Sequence, residues 1–201
     1  MSGKNLVFRE IREWIFTLVG AFVLVMLLNT KVFATTRVQQ SSMQDTLMEG
    51  QHLLVEKLTY NFVNPVKGDI IVFIENKSVG GFLDEINVFL TDVKEVFQPV
   101  EEKSNTRLVK RVIAVPGDEV DIQAGKVYIN GRELEEPYVK GETAKREFQL
   151  PVTVPDDKYF VLGDNRGVSK DSRVFGFIDR SQVEGKAVFR FWPLGKFGQL
   201  K

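Results

Sequence analysis

The sequence has 201 residues, enough for one globular domain with an additional tail or anchor. Its 27 basic and 27 acidic side chains balance, so nothing indicates a nucleic-acid partner. The absence of cysteine and the presence of a single histidine, His52, argue against thiol proteases, disulfide scaffolds and zinc enzymes.

An apolar run without charges extends from Trp14 to Leu28. Continued to Ala34, it approaches the roughly 20 residues that a membrane-spanning helix requires. Lys31 can extend its ammonium group toward lipid headgroups, and Trp14 lies where an interfacial aromatic is expected. The run therefore predicts a retained membrane anchor. The alternative is a cleaved signal peptide, because the residues before position 35 loosely resemble a cleavage site.

The orientation of this anchor follows from the basic residues that precede it, Lys4, Arg9 and Arg12. Lysine and arginine accumulate on the cytoplasmic side of a membrane segment. We therefore predict three regions: a cytoplasmic tail at 1–13, a transmembrane anchor at 14–34 and an extracytoplasmic domain at 35–201.

Beyond residue 35, short apolar stretches alternate with turn signals, which is typical of a mainly β domain of many short antiparallel strands. Asn130-Gly131 is a strong signal for a two-residue hairpin turn. The predicted strands lie within 50–57, 70–74, 120–122, 127–129, 159–162 and 187–191.

One segment departs from the β pattern. Between residues 82 and 97, within a segment at 76–105, apolar residues recur at spacings of three and four, which predicts an amphipathic helix. Its apolar face either packs on the β domain or contacts a membrane or a partner protein. The polar face is mostly acidic, which argues against binding to anionic lipid.

Lys110 lies in a strand pattern where alternate residues share a face, so it stands between Leu108 and Val112 on an apolar surface. Burial there lowers the pKa of a lysine and makes it a candidate general base. The alternative is a lysine that extends to solvent or pairs with an acid.

Ser42 is the candidate nucleophile, although a serine hydroxyl reacts poorly without a neighbouring base and such serines often cap helices or turns. The polar loop at 163–173 is dense in hydrogen-bonding groups. It either serves a site or is a structural loop in which Asp171 pairs with Arg166 or Arg173.

Together these stretches resemble the bacterial type I signal peptidases, most like those of Gram-positive bacteria with a single N-terminal anchor. The family's lysine motif, Lys-Arg-Val-x-x-x-Pro-Gly-Asp, is present in full from Lys110 to Asp118, and its Gly-Asp-Asn-Arg-x-x-Ser-x-Asp-Ser-Arg motif is present from Gly163 to Arg173. Its Ser-Met-x-Pro-Thr-Leu motif is present from Ser42 to Leu47, with Asp45 in place of proline.

The resemblance implies a signal-peptidase-type β domain and a serine endopeptidase that removes signal peptides from exported preproteins after small residues, Ala-x-Ala-like, through an acyl-enzyme and without a cofactor. It implies partners of two kinds, signal peptides and the lipid bilayer, and no nucleic acid. The roles it implies are a Ser42 nucleophile, a Lys110 base, a Ser169 hydroxyl that orients the lysine, a scaffold held by Asp171 and Arg173, and a substrate pocket that includes Met43.

Among the departures from the family pattern, which include Gly167-Val168 in place of a more polar pair, two bear on the chemistry of the site. Gln40 stands where some members have a serine or threonine that donates to the oxyanion, and we expect its amide to be the second donor unless the oxyanion hole is weaker. Asp45 places an acid near the site, where pairing with Lys110 would raise the pKa of the lysine.

Two other functions remain open from the sequence. One is a dedicated factor for assembling a surface structure, with the helix at 82–97 as its docking face and little general peptidase activity. The other is a Ser-Lys protease that cleaves itself, against which the predicted anchor and the absence of a DNA-binding segment argue.

Overall fold

The computed structural model describes residues 3–75 and 107–200, so the helix predicted at 82–97 lies outside the described residues. The helices are α1 (Gly3–Lys31), α2 (Thr59–Phe62) and α3 (Ser172–Phe175), and 3-10 helices cover Ser41–Met43, Arg180–Gln182 and Leu194–Lys196. The strands are β1 (Phe33–Arg37), β2 (His52–Glu56), β3 (Ile70–Ile74), β4 (Arg107–Ala114), β5 (Glu119–Gln123), β6 (Lys126–Ile129), β7 (Arg132–Glu133), β8 (Val152–Thr153), β9 (Lys158–Leu162), β10 (Ile178–Asp179), β11 (Val183–Trp192) and β12 (Gly198–Gln199).

Helix α1 includes most of the predicted anchor but ends at Lys31. Phe33 and Ala34, which the sequence assigned to the anchor, begin β1 instead, because their main chain pairs with Glu56 and Val55 of β2. In the part of the chain that the structure describes, no helix has both the length and the mean hydropathy needed to cross a membrane.

The strands form two antiparallel sheets within residues 3–75 and 107–200. The larger sheet has eight strands in the order β1-β2-β11-β3-β4-β9-β10, with β12 paired to β11, and the smaller has four in the order β7-β6-β5-β8. Two sequence signals explain the central strands. Strand β3 is a run of mostly β-branched residues that are all buried, and along the N-terminal half of β4 buried and partly exposed residues alternate. The mainly β antiparallel fold expected from the sequence is confirmed.

The small sheet is built from two-residue hairpin turns. Asn130 and Gly131 both have positive φ, as a type I′ turn requires, and the same geometry at Ala124 and Gly125 joins β5 to β6. Asparagine and glycine tolerate this backbone conformation better than most residues, which is why the Asn-Gly pair predicted this turn.

Among the residues that the structure describes, three buried apolar clusters hold the sheets together. One includes Ile71, Leu108 and Val112 on the central strands, and another places Val72 beside Leu47 and Leu53. A third fills the space under the small sheet. Strand β4, the 3-10 helix at Ser41–Met43 and the loop after β9 meet at one place, which is the candidate active site.

Candidate active site

Lys110 lies in the middle of β4, directly opposite Ile71 of β3, and its side chain is fully buried. Burial lowers the pKa of Lys110 to about 8, because a charged amine loses hydration among apolar neighbours. The carboxylates of Asp171, Glu75 and Asp164 act in the opposite direction and raise the pKa of the amine. A substantial share of the amine is therefore neutral in mildly alkaline solution, as a base requires.

Ser42 presents its hydroxyl to this amine. It lies in the 3-10 helix Ser41–Met43, is 7% exposed, and its Oγ lies 2.8 Å from Lys110 Nζ. The amine also donates to the Val109 carbonyl at 3.2 Å, which fixes its direction. A hydroxyl in hydrogen-bond contact with the neutral form of such an amine can be deprotonated as it attacks a carbonyl group.

The polar loop after β9 fastens the nucleophile from the other side. The Asn165 N–H donates to the Ser42 carbonyl at 3.0 Å, and the Asn165 side-chain amide donates to the Ser41 carbonyl at 3.1 Å. Gly163 lies so close that a Cβ there would overlap with Ser169 Oγ and the Ser42 carbonyl oxygen. Only glycine allows the loop to approach the nucleophile this closely.

The predicted hydrogen bond between Ser169 and Lys110 is not formed. Ser169 is fully buried, but within the described residues its Oγ has no hydrogen-bond partner. The Lys110 amine is engaged by Ser42 and Val109 instead, while the Ser169 side chain packs beside Gly163.

Asp171 and Arg173 form a buried pair inside the same loop. Arg173 donates from Nε to Asp171 Oδ1 and from a terminal nitrogen to Oδ2, both at 2.8 Å, and neither side chain is exposed. Asp171 also accepts from the Gly163 N–H at 3.1 Å. Of the two partners that the sequence offered, Arg166 pairs with Glu136, so the loop is held by Asp171 and Arg173.

Two other predicted site residues have different surroundings. Met43 was expected to line a substrate pocket, but its side chain is 1% exposed and packs in the core with Val38 and Leu47. Gln40 is exposed at the start of the 3-10 helix, and its side chain does not cap that helix.

Asp45 does not pair with Lys110. Its carboxylate lies 3.1 Å from Lys140 Nζ at the protein surface, with 70% of the Asp45 side chain exposed. Asp45 is also absent from the charges that shift the pKa of Lys110. The sequence-based expectation that Asp45 would oppose the effect of burial on the lysine was therefore wrong.

A buried ion pair beneath the site had no place in the sequence-based prediction. Arg111 donates to both carboxylate oxygens of Asp164, at 3.0 and 2.8 Å, and the guanidinium lies 3.8 Å from the centre of the Tyr138 ring. Asp164 also accepts from the Thr46 hydroxyl at 2.6 Å. This bond ties the turn at residues 42–47, here named the nucleophile turn, to the polar loop. The sequence alone assigned Arg111 no role, although its side chain is buried next to the site.

The Ser42 hydroxyl lies beside a buried lysine of lowered pKa, and the polar loop is hydrogen-bonded to the segment that carries Ser42. This arrangement defines the Ser-Lys type of serine hydrolase site. Residues 11–192 match the family model described as signal peptidase, peptidase S26, and the chain belongs to this family. The family assignment made from the motifs is confirmed.

Two relatives that are similar in sequence carry names that agree with this assignment. The chain is 36% identical over 184 residues to a protein named probable signal peptidase I-2 from Synechocystis sp., covering 92% of this chain and 74% of the relative. It is 35% identical to signal peptidase IB from Staphylococcus aureus, covering 94% of this chain and 93% of the relative. A crystal structure of a signal peptidase I from Enterococcus faecalis is 31% identical, with a TM-score of 0.40, and covers 62% of this chain and 97% of the other.

Proposed function

We propose that this protein is a membrane-bound serine endopeptidase that cleaves signal peptides from exported preproteins, with Ser42 as nucleophile and Lys110 as general base. The observation that carries the proposal is the 2.8 Å contact between Lys110 Nζ and Ser42 Oγ at a lysine whose pKa is lowered to about 8. Membership of the signal peptidase family and relatives named signal peptidases support the substrate class.

In the first step Ser42 Oγ attacks the scissile carbonyl carbon while its proton moves to the neutral Lys110 amine. The carbonyl oxygen becomes an oxyanion, for which we propose the Ser42 main-chain N–H and the Gln40 side-chain amide as donors. Removal of one such donor typically costs about 10²–10³ in rate. The exposed position of Gln40, and a side chain that does not cap the helix, support its inclusion.

The tetrahedral intermediate collapses when the Lys110 ammonium protonates the leaving amine, which departs as the new N-terminus of the mature protein. The signal peptide stays bound to Ser42 Oγ as an ester. Lys110, neutral again, takes a proton from water as the water attacks the ester carbonyl. That proton passes to Ser42 Oγ on release of the signal peptide, and the enzyme is restored.

Ser169 has a place in this cycle as a support for the lysine. We propose that its hydroxyl accepts a hydrogen bond from Lys110 when the amine becomes an ammonium and Ser42 Oγ is committed to the substrate. A fully buried hydroxyl without a partner in the described structure supports this role, because such groups normally have one.

We also propose that α1 anchors the protein, with the N-terminus cytoplasmic and the β domain on the outer side of the membrane. The uncharged run from Trp14 to Leu28 supports an anchor, as do apolar side chains exposed along α1, such as Phe16 and Leu18 at 69% and 65%. N-terminal sequencing of the mature protein tests it: the anchor predicts a chain that begins before Trp14, and a chain beginning at Thr35 contradicts it.

Cleavage of a preprotein with an Ala-x-Ala site tests the reaction, with the purified full chain in detergent or lipid. We expect Ser42→Ala and Lys110→Met each to lower the rate by more than about 10³-fold, because both groups act in every step. Ser41→Ala is the matched control, since Ser41 is exposed in the same 3-10 helix. Circular dichroism checks that each variant is folded. A Ser42→Ala enzyme that still cleaves at the site rules out the proposed nucleophile.

The alternative, a dedicated assembly factor without general peptidase activity, gains no support from the site, because Ser42 and Lys110 are both present and in contact. The same experiment addresses it, since an assembly role would survive the loss of the Ser42 hydroxyl.

A further inference from the structure

The turn that follows Ser42 is tied to the polar loop at several points. The Asn165 N–H reaches the Ser42 carbonyl, and the Thr46 hydroxyl reaches Asp164. Between these two attachments lies Asp45, where the family motif has proline. Asp45 therefore lies in the short segment that carries the nucleophile, between the two points where this segment is bonded to the loop.

Lys140 comes to this turn from a different part of the chain. Its N–H donates to the Asp164 carbonyl at 2.8 Å, and its carbonyl accepts from the Arg166 N–H at 3.0 Å. The Lys140 main chain is therefore fixed on the polar loop, next to Asn165. From there its ammonium reaches Asp45 Oδ1 at 3.1 Å. The ion pair thus joins two segments that are each already bonded to the same loop.

A proline at position 45 would restrict the turn through its ring, which fixes φ and needs no partner. Aspartate has no such restriction. The main-chain hydrogen bonds of the turn are donated by the N–H groups of Gln44 and Leu47, to the carbonyls of Ser41 and Met43. Neither bond uses the N–H of residue 45, so either residue type is compatible with them.

We propose that Asp45 and Lys140 are positioning residues. Their ion pair fixes the conformation of the nucleophile turn, an effect that the proline ring has in family members with proline at this position. The inference rests on the proposed function insofar as the turn carries the nucleophile. We name this pair the Asp45–Lys140 clasp. It contacts neither the hydroxyl of Ser42 nor the amine of Lys110, and it acts only through the position of the turn.

The clasp acts on position and not on the basicity of Lys110. The charged groups that shift the pKa of Lys110 are Asp171, Glu75 and Asp164, and Asp45 is not among them. Variants of the clasp should therefore change the plateau of the pH profile and leave its midpoint in place.

The test is a mutant cycle measured on the full-length enzyme with the Ala-x-Ala preprotein. We expect Asp45→Asn and Lys140→Gln each to lower kcat by about three- to five-fold with little change in KM, since exposed ion pairs have modest energies. The double variant should be no worse than either single variant. Unlike Asp45→Asn, Asp45→Pro should have the kcat of the wild type. Adding Lys140→Gln to Asp45→Pro should cause no further loss of kcat. Exchange of the two charges, Asp45→Lys with Lys140→Asp, should recover most of the loss seen in each single reversal.

Lys126→Gln is the matched control, because Lys126 forms a similarly exposed ion pair with Glu133 on the small sheet, and it should leave kcat unchanged. Equal losses from Lys140→Gln in the wild-type and Asp45→Pro backgrounds would overturn the clasp. If Asp45→Pro does not fold, failure of the charge exchange to recover activity overturns it equally.

Hydrogen exchange of the peptide covering residues 41–47 decides the clasp without reference to cleavage. Lys140→Gln should speed exchange in the wild-type background and leave it unchanged in the Asp45→Pro background, and equal acceleration in both would again overturn the proposal. A wild-type enzyme that does not cleave the preprotein would count against the proposed function, whereas the exchange result bears on the clasp alone.

Discussion

At Lys110, burial and charge act in opposite directions on one amine. Burial lowers its pKa to about 8, while three carboxylates, led by Asp171, limit the decrease. Below this pKa the amine is protonated and cannot accept the Ser42 proton. Activity should therefore be lost as pH falls through about 8 and be fully present above it.

The pH profile of kcat/KM measures this directly. We expect a limb with a midpoint near the pKa of about 8 and a ten-fold loss per pH unit below it. Glu75→Gln should move the midpoint to lower pH, because the Glu75 carboxylate raises the pKa of Lys110. Glu133→Gln, which removes an exposed carboxylate on the small sheet, should leave it in place. A rate that stays constant from pH 6 to pH 9 is incompatible with Lys110 as the base.

The sequence was informative about individual residues where a motif had a chemical reason, and less so where contacts decide. The family resemblance implied that Ser42 and Lys110 act together, and the apolar strand face indicated a lowered lysine pKa, with a lysine that reaches solvent or pairs with an acid as the alternative. It could not show that Asp45 pairs with Lys140, because the two are 95 positions apart. For the same reason it did not separate a Ser169 hydroxyl that contacts Lys110 from one that lies unpaired beside Gly163.

At the scale of elements, the close approach of the polar loop to the 3-10 helix Ser41–Met43 depends on the small size of Gly163. The described structure has no room for a Cβ at this position, between Ser169 and the Ser42 carbonyl. The Gly163 N–H also donates to Asp171, so the backbone cannot move away without losing a buried hydrogen bond.

Gly163→Ala should therefore push the loop away from Ser42. We expect the rate of preprotein cleavage to fall by about 10²-fold, since a misplacement on the order of 1 Å has that effect. Overpacking should also lower the free energy of unfolding by about 1–3 kcal/mol. Both are measurable, by cleavage assay and by urea unfolding.

Gly167→Ala is the control in the same loop, because an added Cβ there meets no described atom within 4 Å. It should change neither quantity appreciably. If the Gly163→Ala enzyme is as active and as stable as wild type, the close approach of loop and nucleophile is not required.

Elements with strong local signals were predictable, and those that depend on distant pairing were not. Ile70–Ile74 was predicted as a strand from its β-branched run, and the Asn130-Gly131 turn from its tolerance of positive φ. β1 was partly assigned to the anchor, because Phe33 and Ala34 continue the apolar composition of α1. Only their pairing with β2 shows that they belong to the sheet.

At the scale of the whole molecule, the large sheet is joined across its strands by a buried carboxylate that no motif marked. Glu184 of β11 lies 2.7 Å from Arg107 Nε of β4 and 3.0 Å from Lys57 Nζ, which follows β2. Burial alone would raise the pKa of Glu184. The two cations outweigh that effect and lower the pKa to about 2. The ion pairs thus connect three strands that are far apart in the sequence.

Glu184 should make the fold sensitive to acid in a defined range. A carboxyl group whose pKa is lower in the folded state stabilises the fold above its unfolded pKa, and this contribution is lost as pH falls. For Glu184 this stabilisation should be lost between pH 4.5, the ordinary pKa, and about pH 2, and the loss should amount to about 3 kcal/mol.

Urea unfolding of wild type and Glu184→Gln across this pH range measures the contribution of Glu184 as the difference between their free energies of unfolding. The gap should be largest above pH 5 and close toward pH 2, whereas Glu133→Gln, whose partner Lys126 is exposed, should run parallel to wild type. A gap that stays constant with pH would mean that Glu184 stabilises the sheet by packing and not by its charge.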